Sequence, residues 1–186
     1  MNYIKITKND IANGEGVRVT LWLSGCSHNC KGCHNPQTHN PNNGILFDEK
    51  AEDEIFQELN KPYISGITLS GGDPLHENNL QNVLDFVNKI RLSFGETKTI
   101  WMYSGYTWEE IWTPQKRINT SSQNVSGWTV EQSIRQDILK QCDVFVDGRY
   151  VDSQKDITLL WRGSSNQRVI DAQKSLKENK VILYAN

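Results

Sequence analysis

Apolar and polar positions along this chain alternate between two periods. Val17, Val19, Leu21 and Leu23 stand two apart, with Arg18, Thr20 and Trp22 between them, the pattern of a strand. Asp48 then precedes Ala51, Ile55 and Leu59, which fall at i, i+4 and i+8 and predict a capped amphipathic helix. Ile64–Leu69 is a short apolar run that ends at Ser70-Gly71-Gly72. Leu80, Val83, Leu84, Val87 and Ile90 return to the helical period. Thr99–Tyr103 predicts another strand, ending at Ser104-Gly105-Tyr106. Thr107 with Glu110 forms a capping box for a short helix, and Thr129 with Gln132 caps one running to about Gln141. Cys142–Val146 reads as a strand ending at Asp147-Gly148-Arg149, and Val181–Tyr184 as a last one. No internal repeat or low-complexity block interrupts the series.

Strands alternating with helices predict an α/β fold built from βα units, with a mainly parallel sheet. The chain has 186 residues, well short of the roughly 250 of a complete eightfold barrel. Four to six strands are expected, in an open sheet or a partial (β/α) barrel. We expect a single domain over residues 1–186 with a polar insertion at 113–128. Within it, Pro114–Gly127 is rich in Ser, Asn and Gln and reads as a solvated loop. The unusual residues sit at strand ends: a cysteine loop, Gly71-Gly72-Asp73, Gly105-Tyr106 and Asp147-Gly148-Arg149. Each alone would pass for an ordinary turn. Ligands of parallel α/β proteins bind at the carboxyl ends of strands, so four such motifs together point to one rim and one site.

Charge and composition narrow the classes. The net charge of −2 gives no general attraction for nucleic acid or acidic membranes. No apolar run approaches the roughly 20 residues of a membrane helix. Met1–Asp10 is polar and lacks the apolar centre of a signal peptide, so a cytoplasmic protein is expected. Three of the four cysteines fall within eight residues, unlike a dispersed disulfide framework. Cys142 lies apart in an apolar strand pattern and reads as a buried small hydrophobe.

The run Cys26-Ser27-His28-Asn29-Cys30-Lys31-Gly32-Cys33 has the spacing C-x3-C-x2-C. One loop with three thiolates can wrap three corners of a four-iron cube and leave the fourth iron open. Zinc is the rival ion, with His28, His34 or His39 as a fourth ligand, although structural zinc loops usually pair two ligands with two placed farther along. A non-catalytic zinc-binding module and a simple electron carrier therefore stay open on the residues alone.

This cysteine motif, together with Ser70-Gly71-Gly72-Asp73-Pro74, resembles the radical S-adenosylmethionine superfamily. Asn13-Gly14-Glu15-Gly16-Val17-Arg18, Ser24-Gly25-Cys26, Gly32-Cys33-His34-Asn35, Asp147-Gly148-Arg149 and Leu160–Gln167 narrow the resemblance. They are similar to segments of the branch that activates anaerobic ribonucleoside-triphosphate reductase. The resemblance implies a [4Fe–4S] cluster on Cys26, Cys30 and Cys33, with S-adenosylmethionine on its open iron. It implies contacts to that cofactor from Gly32, Cys33 and His34, and from Gly72 and Asp73 near its amino group. Asp147 and Arg149 would serve a cation or the methionine carboxylate, unless they form only a surface turn. Arg162, Ser164, Asn166 and Gln167 would organise the substrate mouth or dock the partner, unless they form only a self-bonded polar loop. The partners implied are the large glycyl-radical subunit of the reductase and a flavodoxin-type electron donor. A related activase, of the pyruvate formate-lyase type, shares most of these features.

Overall fold

The computed structural model describes residues 1–118 and 124–185. In chain order the strands and helices begin with β1 (Asn2–Asp10), β2 (Arg18–Leu23), β3 (Ile45–Leu46), α1 (Glu49–Leu59) and β4 (Gly66–Gly71). There follow α2 (Leu80–Phe94), β5 (Thr99–Tyr103), α3 (Trp108–Trp112), β6 (Gln115–Ile118) and β7 (Asn124–Gly127). The chain continues through α4 (Val130–Lys140), β8 (Val144–Asp147), β9 (Arg168–Asp171), α5 (Ala172–Glu178) and β10 (Leu183–Ala185). No helix among the described residues is long and apolar enough to cross a membrane.

The predicted apolar runs become the centre of one eight-stranded sheet, ordered β10-β9-β8-β5-β4-β2-β1-β3. β2, β4, β5 and β8 are parallel neighbours, in registers such as Leu21↔Leu69, Leu69↔Met102 and Met102↔Phe145. Their carboxyl ends therefore lie along one edge. The expectation of a mainly parallel sheet of four to six strands needs correction, because antiparallel strands flank this centre on both sides. β1 pairs antiparallel with β2 and β3, and β9 with β8 and β10. β1 is half-exposed and largely polar, and β9 and β10 are only four and three residues long, so none carries a strong period of its own.

Side-chain alternation gives the sheet two different faces. Val19, Leu21, Leu23, Ile67, Leu69, Ile100, Met102 and Phe145 join Ile55, Leu59, Val83, Phe86, Val87, Ile90, Ile138 and Leu139 from the helices in one core. Burying a side chain of this size stabilises by about 1.5–3 kcal/mol, so this face dominates the fold. Cys142 belongs to the same core; its Sγ donates to Ile138 O at 3.4 Å, and burial pushes its thiol far up. The opposite face carries Arg18, Thr20, Thr68 and Trp101, all buried. Among the described residues Arg18 has no carboxylate within ion-pair distance. Its Nε donates to Thr68 Oγ1 (2.8 Å), its Nη1 to Glu15 O and Thr99 Oγ1, and its Nη2 to Ile67 O and Thr99 O. The guanidinium lies 5.2 Å from the centre of the Trp101 ring. Burial draws its pKa down to about 10.

The caps follow the predicted residues. Asp48 accepts from Ala51 N, and both capping boxes, Thr107 with Glu110 and Thr129 with Gln132, are formed. The segment 114–127, expected as a solvated loop, instead contains the hairpin β6–β7, with pairs such as Gln115↔Gly127 and Arg117↔Val125. Backbone pairing in a two-stranded ribbon needs no apolar stripe, so polar composition conceals it. Residues 119–123 lie outside the described residues.

Candidate functional site at the strand ends

The four parallel strands deliver their following loops to one cavity of about 480 Å³, within the roughly 300–1,000 Å³ usual for small-molecule sites. Cys26, His28, Cys30, Cys33 and His34 enter from the loop after β2. Ser70, Gly71 and Gly72 enter from β4, Tyr103, Ser104 and Gly105 from β5, and Gly148 and Tyr150 from beyond β8. Asn13, Trp22, Trp161, Arg162 and Gln167 complete the wall. The rim expected from four separate motifs is thus a single concave surface.

Backbone bonds fix the cysteine loop at its base. Gly25 N donates to Thr38 O (2.7 Å), Cys26 N to His39 O (3.0 Å) and Asp73 N to Gly25 O (2.7 Å), while Gly72 N donates to Leu23 O (2.8 Å). All three thiols are partly exposed. Burial pushes Cys26 up to about 11, opposed by the backbone amides of His28 and Asn29. Asn35 N donates to Cys33 Sγ at 3.4 Å. Among the described residues no three His, Cys, Asp or Glu side chains converge on a point where a single metal ion would sit.

Gly72 reaches the cavity, but the cysteine loop explains why it is glycine. A Cβ there would stand 2.5 Å from Gly25 O and 2.9 Å from Thr38 O, both backbone atoms held by hydrogen bonds. Gly72→Ala is expected to cost about 2–3 kcal/mol by overpacking and to lower the iron taken up. Thermal unfolding and iron analysis check this; wild-type values for both would refute it.

The Asp73 carboxylate is buried and faces protein groups. Oδ1 accepts from Leu75 N (2.8 Å) and Ser104 Oγ (2.9 Å), and Oδ2 from Gly105 N (3.1 Å) and His28 Nε2 (2.6 Å). Gly32 lies outside the cavity wall, and a Cβ on it would meet Asp152 Oδ1 at 2.7 Å. His34 lies on the wall beside the Tyr150 ring, with centroids 5.2 Å apart. Gly148 lines the cavity, whereas its neighbours Asp147 and Arg149 do not. Asp147 is buried against Arg168 and also accepts from Trp108 N (2.9 Å). Arg149 is exposed and bonds Glu110 at 3.0 Å.

In the Trp161–Gln167 segment, Gln167 Oε1 accepts from Gly163 N and Ser164 N, and Asn166 Nδ2 donates to Arg149 O. These side chains largely hold the loop itself. Arg162 is different. Its Nη1 donates to Gln167 O, but among the described residues its buried Nε has no hydrogen-bond partner, and neither has Tyr103 Oη on the same wall. The sequence reading assigned no role to Trp22, Asn13 or Tyr103. Their signal is only that they sit at or beside strand ends on the face away from the helices.

Asn13 and Ala12 are set by Asp10, which accepts from Ala12 N (2.8 Å), Asn13 N, Asn13 Nδ2 (2.7 Å) and Thr20 Oγ1 (2.7 Å). Burial raises its pKa, but these donors together outweigh burial and leave it below 3.8. The stability from this carboxylate is present above pH 3.8 and is lost as pH falls through its lower folded pKa. Asp10→Asn is expected to flatten that acid limb of unfolding free energy against pH; an unaltered limb would count against the assignment.

The model of a family described as a 4Fe-4S single cluster domain matches residues 12–170, most of the chain. The anaerobic ribonucleoside-triphosphate reductase-activating protein of Haemophilus influenzae is 37% identical over 169 residues, covering 90% of this chain and 96% of that protein. The protein of the same name from Escherichia coli K12 is 39% identical over 171 residues, covering 91% and 97%. That of enterobacteria phage T4 is 38% identical over 169 residues, covering 91% and 93%. With such identity sustained over nine-tenths of its length, and with a cysteine loop seated at the strand-end cavity, the chain belongs to the family of anaerobic ribonucleoside-triphosphate reductase-activating proteins, which carries the 4Fe-4S single cluster domain.

Proposed function

We propose that this chain is a radical S-adenosylmethionine enzyme that installs a glycyl radical on the large subunit of anaerobic ribonucleoside-triphosphate reductase. The observation that carries this reading is the meeting of three thiols from one loop with the strand-end glycine loops in one cavity. Cys26, Cys30 and Cys33 would hold a [4Fe–4S] cluster. Three partly exposed thiols from one C-x3-C-x2-C loop on a single cavity wall suit a cluster with an open corner. When bound, the cluster and S-adenosylmethionine supply reductive cleavage to methionine and a 5′-deoxyadenosyl radical, able to take hydrogen from a glycine.

The protein's part is binding, orientation and exclusion of water. Gly72, packed without a side chain against the base of the cysteine loop, brings its backbone to the cavity. Arg162 Nε, buried with no partner among the described residues, is available to a carboxylate such as that of methionine. His34 with Tyr150 presents ring surface suited to adenine. In this reading the chain is one domain with an insertion at 113–128, and β2, β4, β5 and β8 with their helices form a partial barrel of the superfamily type. A flavodoxin-type protein delivers the electron, and the cytoplasm is the setting.

The test is anaerobic reconstitution with iron and sulfide, followed by S-adenosylmethionine and a reductant, with 5′-deoxyadenosine measured. Product is expected, and adding the reductase subunit should yield a glycyl radical by electron paramagnetic resonance. Zinc without inorganic sulfide would overturn the cluster, and a loaded cluster that yields no product would leave only an electron carrier. A radical formed on pyruvate formate-lyase and not on the reductase would overturn the partner.

A further inference from the structure

His28 lies between two of the cysteines, yet its side chain turns back into the protein. It is 5% exposed, and its Nε2 reaches Asp73 Oδ2 at 2.6 Å. Its ring packs edge-on against Tyr106, with centroids 4.7 Å apart. Gly105 makes room for it: a Cβ there would stand 2.3 Å from His28 Cδ2 and 2.7 Å from Nε2. Asp73 is held from the other side by Ser104 Oγ, Gly105 N and Leu75 N. One imidazole thus ties the middle of the cysteine loop to the ends of β4 and β5.

We infer that His28, braced by Asp73 and admitted by Gly105, is a positioning residue that fixes the Cys26–Cys30 turn and so sets the reducibility of the cluster proposed above. The link is the backbone. Main-chain amides of this loop lie close to its sulfurs, as Asn35 N does to Cys33 Sγ at 3.4 Å, and those between Cys26 and Cys30 hold their places only while the His28 ring is anchored on Asp73. Hydrogen bonds to cluster sulfurs favour the more negative, reduced form. A loosened turn weakens them, so reduction becomes harder.

The experiment compares reconstituted wild type with His28→Ala, His28→Gln and Gly105→Ala. At a reductant poise that half-reduces the wild-type cluster, the ratio of reduced to oxidised cluster is read by electron paramagnetic resonance. His28→Ala is expected to lower it about three- to tenfold, the scale of losing a hydrogen bond of roughly 1 kcal/mol. Gly105→Ala, which leaves His28 in place but displaces its ring, should lower it similarly. His28→Gln, which keeps a donor for Asp73, should recover most of the ratio. Equal ratios in wild type and both disruptive variants, at full cluster content, would overturn the inference.

Amide hydrogen exchange over residues 26–30 in the cluster-free protein supplies a second readout, for variants that load poorly. Exchange should quicken in His28→Ala and Gly105→Ala and stay slow in His28→Gln; uniform exchange would overturn the inference. The inference rests on the proposed cluster, and the two fail differently. A wild type that holds no cube defeats the functional reading, whereas a loaded wild type matched by its variants defeats only the role of His28.

Discussion

Cys30→Ala is expected to bring 5′-deoxyadenosine formation down to background while leaving the fold intact. Losing an outer partner of a metal ligand costs roughly 10- to 100-fold, so losing one of three direct ligands should exceed that. The two histidines nearest in sequence are engaged elsewhere: His28 is turned into Asp73, and His34 lies beside Tyr150. The fold should survive because Cys30 is only partly buried and outside the core. The loop's base is held by Gly25, Cys26 and Asp73 backbone bonds that do not involve the Cys30 side chain. The measurement pairs the product assay with circular dichroism. Product at the wild-type rate from a folded variant would remove Cys30 from the ligand set.

Arg18→Ala should produce the largest loss of stability. The guanidinium is fully buried and makes five hydrogen bonds, two of them to Thr99 and Ile67 main-chain oxygens on β5 and β4. Removing it leaves those acceptors without this donor and opens a cavity beside Trp101. Each orphaned buried group costs about 1–3 kcal/mol, so a loss of about 3–5 kcal/mol is expected, a large part of the roughly 5–15 that holds a domain together. Arg18→Lys should recover little, because an ammonium cannot span the positions that the planar fork serves. Urea unfolding of the cluster-free protein measures both, and a loss under about 1 kcal/mol for Arg18→Ala would refute the assignment.

What was legible in the sequence was whatever rests on local period and local chemistry. β2, β4, β5 and β8 are buried runs bounded by glycine, and the caps at Asp48, Thr107 and Thr129 involve neighbours three residues apart. Their parallel order brought the cysteine loop, Gly72 and Gly105 together, as strand-end placement implies. What was hidden depends on partners distant in sequence. β1 is polar because only part of it is covered, and it becomes a strand by pairing with β2. Arg18 stands between apolar positions in an alternating strand, and nothing local in the sequence marks its face as one closed by Trp101 and Thr99. His28 read as a spare zinc ligand, and only the fold shows that Asp73, 45 residues away, claims it. Asp147 and Arg149 are adjacent to a cavity-lining glycine, but Arg168 and Glu110 engage them from β9 and α3.

The bonds at the base of the cysteine loop bear on how the protein meets its iron. Small zinc domains fold only when metal arrives, so their affinity is reduced by the ordering that binding must impose. Here Gly25, Cys26 and Asp73 are tethered by main-chain hydrogen bonds in which the cysteine sulfurs take no part. The receptor for inorganic cargo is preorganised, and assembly can draw on an already shaped cradle. Losing the cluster to oxygen should accordingly leave a protein ready to be recharged, and not one that must refold.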